Sequence, residues 1–261
     1  MWEKKGEMRM RLYENPFYYD IAFSFRDIGK EVDFFEQCIN KFSKIKVKKV
    51  LEIGCGTSPY LIELNTRGYS FTGLDKSKEM LEYPLEKAHK AGIEMKVIHA
   101  DMRNFESMEK FDFAFCMLGS IYVESNEDFL SHFTSMSNCL KKGGLYLIDA
   151  CCRFNWLRVG GENWTVMKEG LTVNVTYEEN VLNTVEQKTL ERITVEVIEN
   201  GKTEVLKEET ISKIIFPQEF LELVNKNEKF EFVGWYNNFD LNQPLKHATK
   251  MNRPITLLRR K

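Results

Sequence analysis

The sequence predicts an α/β fold with a doubly wound, mostly parallel sheet of seven strands, and three observations lead to this prediction. Strand-like and helix-like segments alternate from about residue 29 to residue 150. The first strand runs directly into Gly54-Cys55-Gly56. Between about 163 and 216, apolar and polar residues instead alternate one by one. Alternating strands and helices give parallel sheets, whereas period-two alternation is typical of antiparallel strands, here inserted after strand five.

The first elements follow from helical spacing and from glycine positions. Apolar residues recur at helical spacing between about 29 and 42, which predicts an amphipathic helix before the first strand. Strand one covers residues 49–53, and the helix after the glycine loop ends at Gly68, a residue type that favours helix C-termini. The second strand covers residues 70–75.

Two further helices of this region have recognisable ends. Ser77 is placed to cap the helix after strand two, and Pro84 inside that helix is expected to kink or shorten it. An amphipathic helix over 126–140 is expected to stop at Gly143-Gly144. The remaining strands of this region are predicted at 95–100, 111–118 and 145–150.

The rest of the chain contains the antiparallel insertion and a return to the main sheet. Turn residues at 199–202 are typical of a hairpin, and Pro217 marks a helix start. Segments of alternating polarity lie at 171–180, 184–198 and 203–216, and two closing strands at 230–236 and 254–260. We therefore expect N-terminal cap helices (1–42), a core (43–155 and 215–261) and a lid formed by the insertion (156–214).

Composition excludes several classes of function. With 37 basic and 39 acidic residues, a net charge of −2 and a pI near 6.2, the chain has no excess positive charge for a nucleic-acid backbone. The N-terminus lacks the apolar core of a signal peptide, and no segment reaches the ~20 apolar residues of a membrane span. We expect a cytoplasmic protein with no nucleic-acid or membrane partner. The six cysteines show no CxxC spacing, so no metal is expected.

The ends of the parallel strands carry the candidate binding residues, because ligands of open α/β sheets bind beyond the carboxyl ends of the strands. Gly54 and Gly56 allow a sharp turn and a close approach of the backbone to a ligand. Pro59 occupies the position where a dinucleotide-binding fingerprint has its third glycine, which weakens that interpretation. Glu52, just before the turn, could hold a ligand's ammonium group or hydrogen-bond loop amides, although a purely structural role stays open.

Two more strand ends carry an acid. Asp75 ends strand two some twenty residues after the glycines, where a carboxylate can accept both hydroxyls of a ribose. Asp101 and Met102 follow strand three and combine a carboxylate with an apolar thioether, a pair suited to the amino group and ring face of an adenine. These strand ends together indicate an adenosyl ligand.

Five segments in this order resemble the successive motifs of class I S-adenosylmethionine-dependent methyltransferases. They are VLEIGCGT, GLDKSKEML, ADMRNF, FDFAFCMLGSIYV and LKKGGLYLID. The resemblance covers about residues 29–150 and implies a Rossmann-like core, S-adenosyl-L-methionine as cofactor, S-adenosyl-L-homocysteine as product, and no metal. Cys55, Lys76 and Met117 lie within these motifs and join the expected cofactor-binding residues.

A narrower resemblance concerns residues 18–34, YYDIAFSFRDIGKEVDF, together with the insertion after strand five. Both are similar to small-molecule methyltransferases that N,N-dimethylate amino groups of nucleotide-linked deoxyaminosugars. That group implies contacts of Tyr19 and Arg26 with the methionine portion of the cofactor. Aromatic faces stabilise cations, and a guanidinium can pair with a carboxylate. Packing alone for Tyr19 and a surface position for Arg26 are the alternatives.

The predicted function is transfer of a methyl group to a nitrogen, or an oxygen, of a small-molecule acceptor. Such a reaction chiefly requires nucleophile and methyl group to be held close and aligned. An amine must arrive unprotonated, whereas a hydroxyl needs a proton acceptor. Asp149, after strand five, is the residue most expected to contact the acceptor, and Tyr122, after strand four, is expected to form a pocket wall.

Three alternatives stay open from the sequence. A protein or peptide methyltransferase would use the insertion for strand addition, and a long unpaired strand within 184–197 would favour it. A cofactor-binding protein without catalysis is the second. Cys116 raises the third, a covalent cytosine-methylating enzyme, although no Pro-Cys pair is present. A monomer and a homodimer are both compatible with the sequence.

Overall fold

The computed structural model describes residues 10–155, 160–248 and 250–261, which form a central sheet of eight strands and a second sheet of five. The α-helices are α1 (Pro16–Ala22), α2 (Ile28–Phe42), α3 (Leu61–Thr66), α4 (Lys78–Ala91), α5 (Asn126–Cys139) and α6 (Pro217–Asn227). The first seven strands are β1 (Met10–Arg11), β2 (Lys49–Ile53), β3 (Ser70–Asp75), β4 (Lys96–His99), β5 (Phe111–Cys116), β6 (Leu140–Asp149) and β7 (Gly160–Lys168). The others are β8 (Leu171–Asn183), β9 (Lys188–Glu199), β10 (Lys202–Lys213), β11 (Phe230–Asn237), β12 (Asp240–Pro244) and β13 (Pro254–Arg260).

The central sheet has the strand order β12-β11-β13-β6-β5-β2-β3-β4. Its strands β6, β5, β2, β3 and β4 are parallel, whereas β13, β11 and β12 pair in antiparallel fashion. The strand order reverses beside β2, which places the ligand crevice of this fold at the carboxyl ends of β2 and β5. The prediction of a doubly wound, mostly parallel sheet is confirmed.

The predicted number of strands is wrong by one, because β12 adds an eighth strand at the edge next to β11. Asn238 and Phe239 between the two strands both have positive φ angles, 55° and 56°. Two such residues make the kind of tight turn that joins antiparallel strands. The chain achieves this turn without a glycine, so the sequence contained no strong signal for it.

The predicted end of helix α5 is also wrong. The helix stops at Cys139 and β6 begins at Leu140, so Gly143 and Gly144 lie inside a strand. A Cβ atom on Gly144 would lie 2.4 Å from the carbonyl oxygen of Asp112. This glycine therefore allows a close approach of neighbouring backbone and does not end a helix.

Helix α4 confirms one expectation and corrects another. Ser77 caps the helix, since its hydroxyl accepts a hydrogen bond from the backbone N–H of Met80 at 3.2 Å. Pro84 does not shorten the helix, which continues to Ala91 before the left-handed Gly92. Pro84 is itself buried, so its ring packs toward the core.

The second sheet has the order β1-β10-β9-β8-β7 and is antiparallel except for β1, which runs parallel to β10. The hairpin predicted at 199–202 is confirmed, with Asn200 and Gly201 at φ 49° and 75°. One face of this sheet packs against the N-terminal segment through buried side chains that include Leu12, Ala22 and Val195. The insertion thereby lies against the same segment that borders the crevice.

No helix within the described ranges is both long enough and apolar enough to cross a lipid bilayer.

Candidate functional site

Two adjoining cavities lie at the carboxyl ends of the parallel strands, with volumes of about 690 Å³ and 210 Å³. Tyr19, Gly54, Gly56 and Ser120 line both of them. The two cavities thus share a wall at the loop after β2 and form one crevice along the strand ends.

The structure brings all of the predicted cofactor-binding residues to this crevice. Besides Tyr19 and the two glycines, the larger cavity is lined by Asp75, Lys76, Asp101 and Met102, and the smaller one by Arg26, Glu52, Cys55 and Met117. Tyr122 lines the larger cavity, as expected for a pocket wall. Placement at the crevice is a structural finding, whereas the contact of each residue with a ligand stays a prediction.

Asp75, at the end of β3, organises the loop and the helix beside it. Its carboxylate accepts hydrogen bonds from the backbone N–H groups of Gly56 and Ser77, both at 2.9 Å. Burial raises the pKa of Asp75, and these backbone hydrogen bonds oppose that effect. Each carboxylate oxygen keeps a lone pair for a further donor, such as a ribose hydroxyl.

Asp101 is held by its near neighbour Arg103. The Arg103 guanidinium lies 2.7 Å from Asp101 Oδ2, and the Arg103 backbone N–H donates to Oδ1 at 2.8 Å. Hydrogen bonds from Arg103 lower the pKa of Asp101 below its ordinary value. The carboxylate therefore stays ionised at the cavity wall beside Met102, where it can accept a further hydrogen bond.

Glu52 and Gly54 provide the test of whether an amino-acid-bearing adenosyl cofactor fits this crevice. Glu52 is only 3% exposed, yet its Oε2 has no hydrogen-bond partner among the described residues, and burial raises the pKa of this carboxyl well above its ordinary value. A Cβ atom on Gly54 would lie 3.2 Å from Met102 Cε and 3.3 Å from the Cβ of Ser120. The orphaned oxygen suits an ammonium group, and the tight contacts and the positive φ of 61° at Gly54 favour glycine there, so these residues fit such a cofactor.

The side chain of Arg26 is buried, and the alternative of an ordinary surface arginine is wrong. Its side chain is 4% exposed, and its Nε donates to Glu31 Oε1 at 3.2 Å. Its Nη2 contacts both Glu31 and the hydroxyl of Tyr60. Glu31 thereby fixes the guanidinium in the wall of the smaller cavity.

The structure does not bring Asp149 into either cavity. Its side chain is 1% exposed, and its Oδ2 accepts hydrogen bonds from Arg253 Nη2 at 2.6 Å and from the backbone N–H of Leu118 at 2.9 Å. Arg253 also lies 3.3 Å from Glu31. This ion pair holds Asp149 behind the crevice, so the expected contact with an acceptor stays a prediction that the observed arrangement does not favour.

Residues 50–144 match the family model described as "Methyltransferase domain". The match covers little more than a third of the chain, and residues 50–144 are called the methyltransferase domain below after that family model. The match contains the glycine loop, the acids that follow β3 and β4, and Tyr122, whereas Tyr19, Arg26 and Asp149 lie outside it.

Known proteins resemble this chain over its core or over most of its length. The glycine/sarcosine N-methyltransferase of Aphanothece halophytica is 27% identical over 124 residues, which cover 46% of each chain. An S-adenosylmethionine-dependent methyltransferase from Clostridium acetobutylicum ATCC 824 superposes with a TM-score of 0.76 at 20% identity, over 93% of this chain and 96% of its own. The sugar N-methyltransferase KedS8 from Streptoalloteichus sp. ATCC 53650 gives 0.75 at 16% identity, over 100% and 97%.

The sequence matches and the structural likenesses cover different shares of the chain. The sequence matches span 43–56% of the length of the curated relatives. The structural likenesses cover almost the whole chain and show that it has the fold of class I S-adenosylmethionine-dependent methyltransferases. The methyltransferase domain and the second sheet occur together in this overall likeness, since more than nine-tenths of the chain is covered.

His132 of the methyltransferase domain supports the crevice, and sequence reasoning missed it. Its Nδ1 donates to the carbonyl oxygen of Met102 at 2.7 Å, so in the neutral ring Nε2 accepts from the hydroxyl of Tyr146 at 2.8 Å. Burial lowers the pKa of His132 to about 4. Its position could have been predicted from spacing, because His132 lies one helical turn from both Phe129 and Met136 and therefore on the apolar face of α5.

Tyr13 and β10 complete the far wall of the larger cavity, and the sequence did not predict either contribution. The side chains of Tyr13 and Tyr122 lie close together in this wall, and burial raises the pKa of both phenols. The backbone N–H of Tyr13 donates to Glu208 on β10 at 3.4 Å. The second sheet therefore contributes to the same cavity as the methyltransferase domain.

Cys116 does not have the environment of an activated thiol. It is fully buried at the end of β5, and burial raises its pKa well above the ordinary value of a thiol. A nucleophilic cysteine needs a lowered pKa and access to the substrate. The observed environment opposes the covalent cytosine-methylating alternative.

Proposed function

We propose that this chain is an S-adenosylmethionine-dependent methyltransferase that transfers a methyl group to a nitrogen of a small-molecule amine. The observation that carries the proposal is the single crevice in which the glycine loop, Glu52, Asp75 and Asp101 meet. Three carboxylates from three successive strand ends, beside a glycine loop that passes close to Met102 and Ser120, match the parts of an adenosyl amino acid.

Each residue of the crevice has a proposed part in binding the methyl donor. Asp75 accepts the ribose hydroxyls, and Asp101 with Met102 contacts the adenine. Glu52 holds the ammonium group, while Arg26, fixed by Glu31, donates to the carboxylate. The bound cofactor supplies an electrophilic methyl group on a positively charged sulfur. The ring of Tyr19, which lines both cavities, is placed to stabilise that charge.

The acceptor is proposed to bind in the part of the larger cavity between Tyr13, Tyr122 and β10. The protein contributes position rather than strong base chemistry, because holding two reacting atoms in line supplies several kcal/mol by itself. In this proposal the N-terminal segment (1–42) caps the core (43–155 and 215–261) and the insertion (156–214) is a lid, although 1–9 and 156–159 lie outside the described residues.

Two observations favour a small amine over a peptide. Strand β9 pairs with β8 on one side and β10 on the other, so the unpaired strand that peptide addition requires is not offered by residues 188–199. The relatives and neighbours described above include proteins named as glycine/sarcosine and sugar N-methyltransferases. Nitrogen is therefore the proposed nucleophile, and oxygen is the less supported choice.

The proposal is tested first on the cofactor and then on the acceptor. Isothermal titration with S-adenosylhomocysteine should show one site per chain, and an absence of binding at millimolar ligand would refute the proposal. Formation of S-adenosylhomocysteine is then measured with amine and alcohol pairs of the same carbon skeleton, such as glucosamine and glucose. Turnover with alcohols alone would refute the assignment to nitrogen.

A further inference from the structure

Glu191 lies on the face of the second sheet that is turned toward the larger cavity. It pairs with Thr210 across β9 and β10, and directly paired residues of antiparallel strands point to the same side. Thr210 lines the cavity, whereas Glu191 itself is not among the lining residues. The hydroxyl of Ser212 on β10 donates to Glu191 Oε1 at 2.9 Å, which confirms that the two side chains share this face.

Three carboxylates on this face differ in their partners. Glu179 contacts the guanidinium of Arg153, and Glu208 lies 3.4 Å from that of Arg11. Glu191 instead accepts a hydrogen bond from the neutral hydroxyl of Ser212, and Tyr177 lies near it. Within the described ranges, no cationic side chain forms an ion pair with Glu191 itself. A carboxylate that is removed from water and lacks its own cation is costly, so Glu191 is suited to a cationic ligand.

Glu191 lies near the two tyrosines of the cavity wall, Tyr13 and Tyr122. Its negative charge contributes to the raised pKa of both Tyr13 and Tyr122, so the three groups lie within electrostatic reach of one another. Burial is the main cause that raises the pKa of Glu191 above its ordinary value, and Glu179 adds repulsion while Arg153 opposes it. A carboxyl in this state can bind a cation and can also accept a proton.

We propose that Glu191 binds the amino group of the acceptor as an ammonium ion and takes one proton from it before methyl transfer. This inference rests on the proposed function. The proton moves from nitrogen to a Glu191 oxygen, and the freed lone pair of nitrogen forms the bond to the methyl carbon. The methyl–sulfur bond breaks with its electron pair remaining on sulfur, which yields S-adenosylhomocysteine and a protonated, methylated amine.

A test that needs no knowledge of the acceptor uses sinefungin, in which an amine-bearing carbon replaces the sulfur and methyl group of the cofactor. Its ammonium group occupies the position where the methyl group meets the acceptor. We expect the wild-type protein to bind sinefungin at least tenfold more tightly than S-adenosylhomocysteine in isothermal titrations. Glu191→Gln should remove most of this preference and leave the affinity for S-adenosylhomocysteine within about twofold.

Glu196→Gln is the matched control, because Glu196 lies on the same strand but on the opposite face. It should keep the preference for sinefungin. Equal affinities of the wild-type protein for both ligands, or an unchanged preference in Glu191→Gln, would overturn the role of Glu191 and leave the proposed function intact. Binding of neither ligand by the wild-type protein would reject the proposed function and this inference with it.

A second variant covers the case in which Glu191→Gln also loses S-adenosylhomocysteine. Glu191→Asp keeps the charge and withdraws it by one methylene group. It should retain affinity for S-adenosylhomocysteine and lose part of the preference for sinefungin. A full preference in Glu191→Asp would contradict the inference.

Discussion

The carboxylate of Asp75 accepts a hydrogen bond from the backbone N–H of Gly56, with 2.9 Å between Asp75 Oδ2 and Gly56 N. The end of β3 is thereby joined to the loop after β2. The other carboxylate oxygen accepts from the backbone N–H of Ser77, at the start of α4, also at 2.9 Å. One side chain thus fixes two walls of the crevice, and a ligand that binds there does not have to order them.

Replacement of Asp75 tests this arrangement. Asp75→Ala should weaken binding of S-adenosylhomocysteine by about 10- to 100-fold, because ligand and loop each lose hydrogen bonds to a charged group worth about 1.5–3 kcal/mol. Isothermal titration measures the change. Asp33→Ala is the control, since Asp33 is exposed and its ion pair with Arg67 lies outside both cavities. An affinity of Asp75→Ala equal to that of the control would contradict the assignment.

The space at Gly54 gives a second prediction. In Gly54→Ala the new methyl group would meet Met102 and Ser120 inside the crevice. We expect loss of S-adenosylhomocysteine binding together with a stability loss of about 1 kcal/mol from the positive φ of 61°.

Gly92→Ala separates these two effects. Gly92 has a similar φ of 66°, but a Cβ atom there would find nothing within 4 Å. This variant should lose comparable stability in urea unfolding and retain full affinity. If both variants lost affinity equally, backbone strain rather than occupied space would explain the result.

The ion pair of Arg253 with Asp149 should be important for stability. Arg253→Met leaves a buried carboxylate without its cation, which costs about 3–5 kcal/mol. Urea unfolding should show that loss, and Arg253→Met combined with Asp149→Asn should recover part of it, since the uncompensated charge is then gone. Arg192→Met is the control, because the more exposed pair of Arg192 with Glu209 should contribute no more than about 1 kcal/mol. Equal losses in the two single variants would argue against a special role of burial.

The burial of His132 predicts a pH dependence of stability. The pKa of His132 is lowered from 6.5 to about 4 in the folded protein, so the unfolded chain binds a proton in this interval that the folded protein does not. Stability should therefore fall as the pH is lowered from about 6.5 toward 4, by about 2–3 kcal/mol from this residue.

The comparison is between His132→Gln and the wild-type protein in urea unfolding at pH 7 and pH 4.5. The variant is less stable at pH 7 but should lose less stability on acidification. His89→Gln, at an exposed position of α4, should keep the wild-type slope. A slope in His132→Gln identical to the wild-type slope would show that this histidine does not titrate on unfolding.

The sequence predicted the crevice well because its residues follow directly from local patterns. Gly54, Asp75 and Met102 each lie at or just after the end of a strand, and parallel strands bring their carboxyl ends to one edge whatever the details of packing. The glycine-free turn at Asn238 left no comparable pattern, so the eighth strand was not predicted.

The contacts behind the crevice could not be predicted in this way. Arg253 and Asp149 are 104 positions apart, and Arg253 and Glu31 are 222 apart. Their meeting depends on the register of the antiparallel strand β13 against β6, which no local pattern determines. Asp149 was expected to contact an acceptor because it follows a strand; its ion pair with the distant Arg253 was not predictable, and the contact itself stays a prediction.

The two ends of the insertion leave the central sheet side by side, since the backbone N–H of Arg153 donates to the carbonyl oxygen of Ile215 at 2.8 Å. Because the two ends of the insertion are adjacent, the insertion can be replaced without separating the strands of the central sheet. If the proposed function holds, we expect chimaeras that join another protein's insertion between residues 153 and 215 to change the acceptor preference while strands β2, β3 and β4 keep their own sequence.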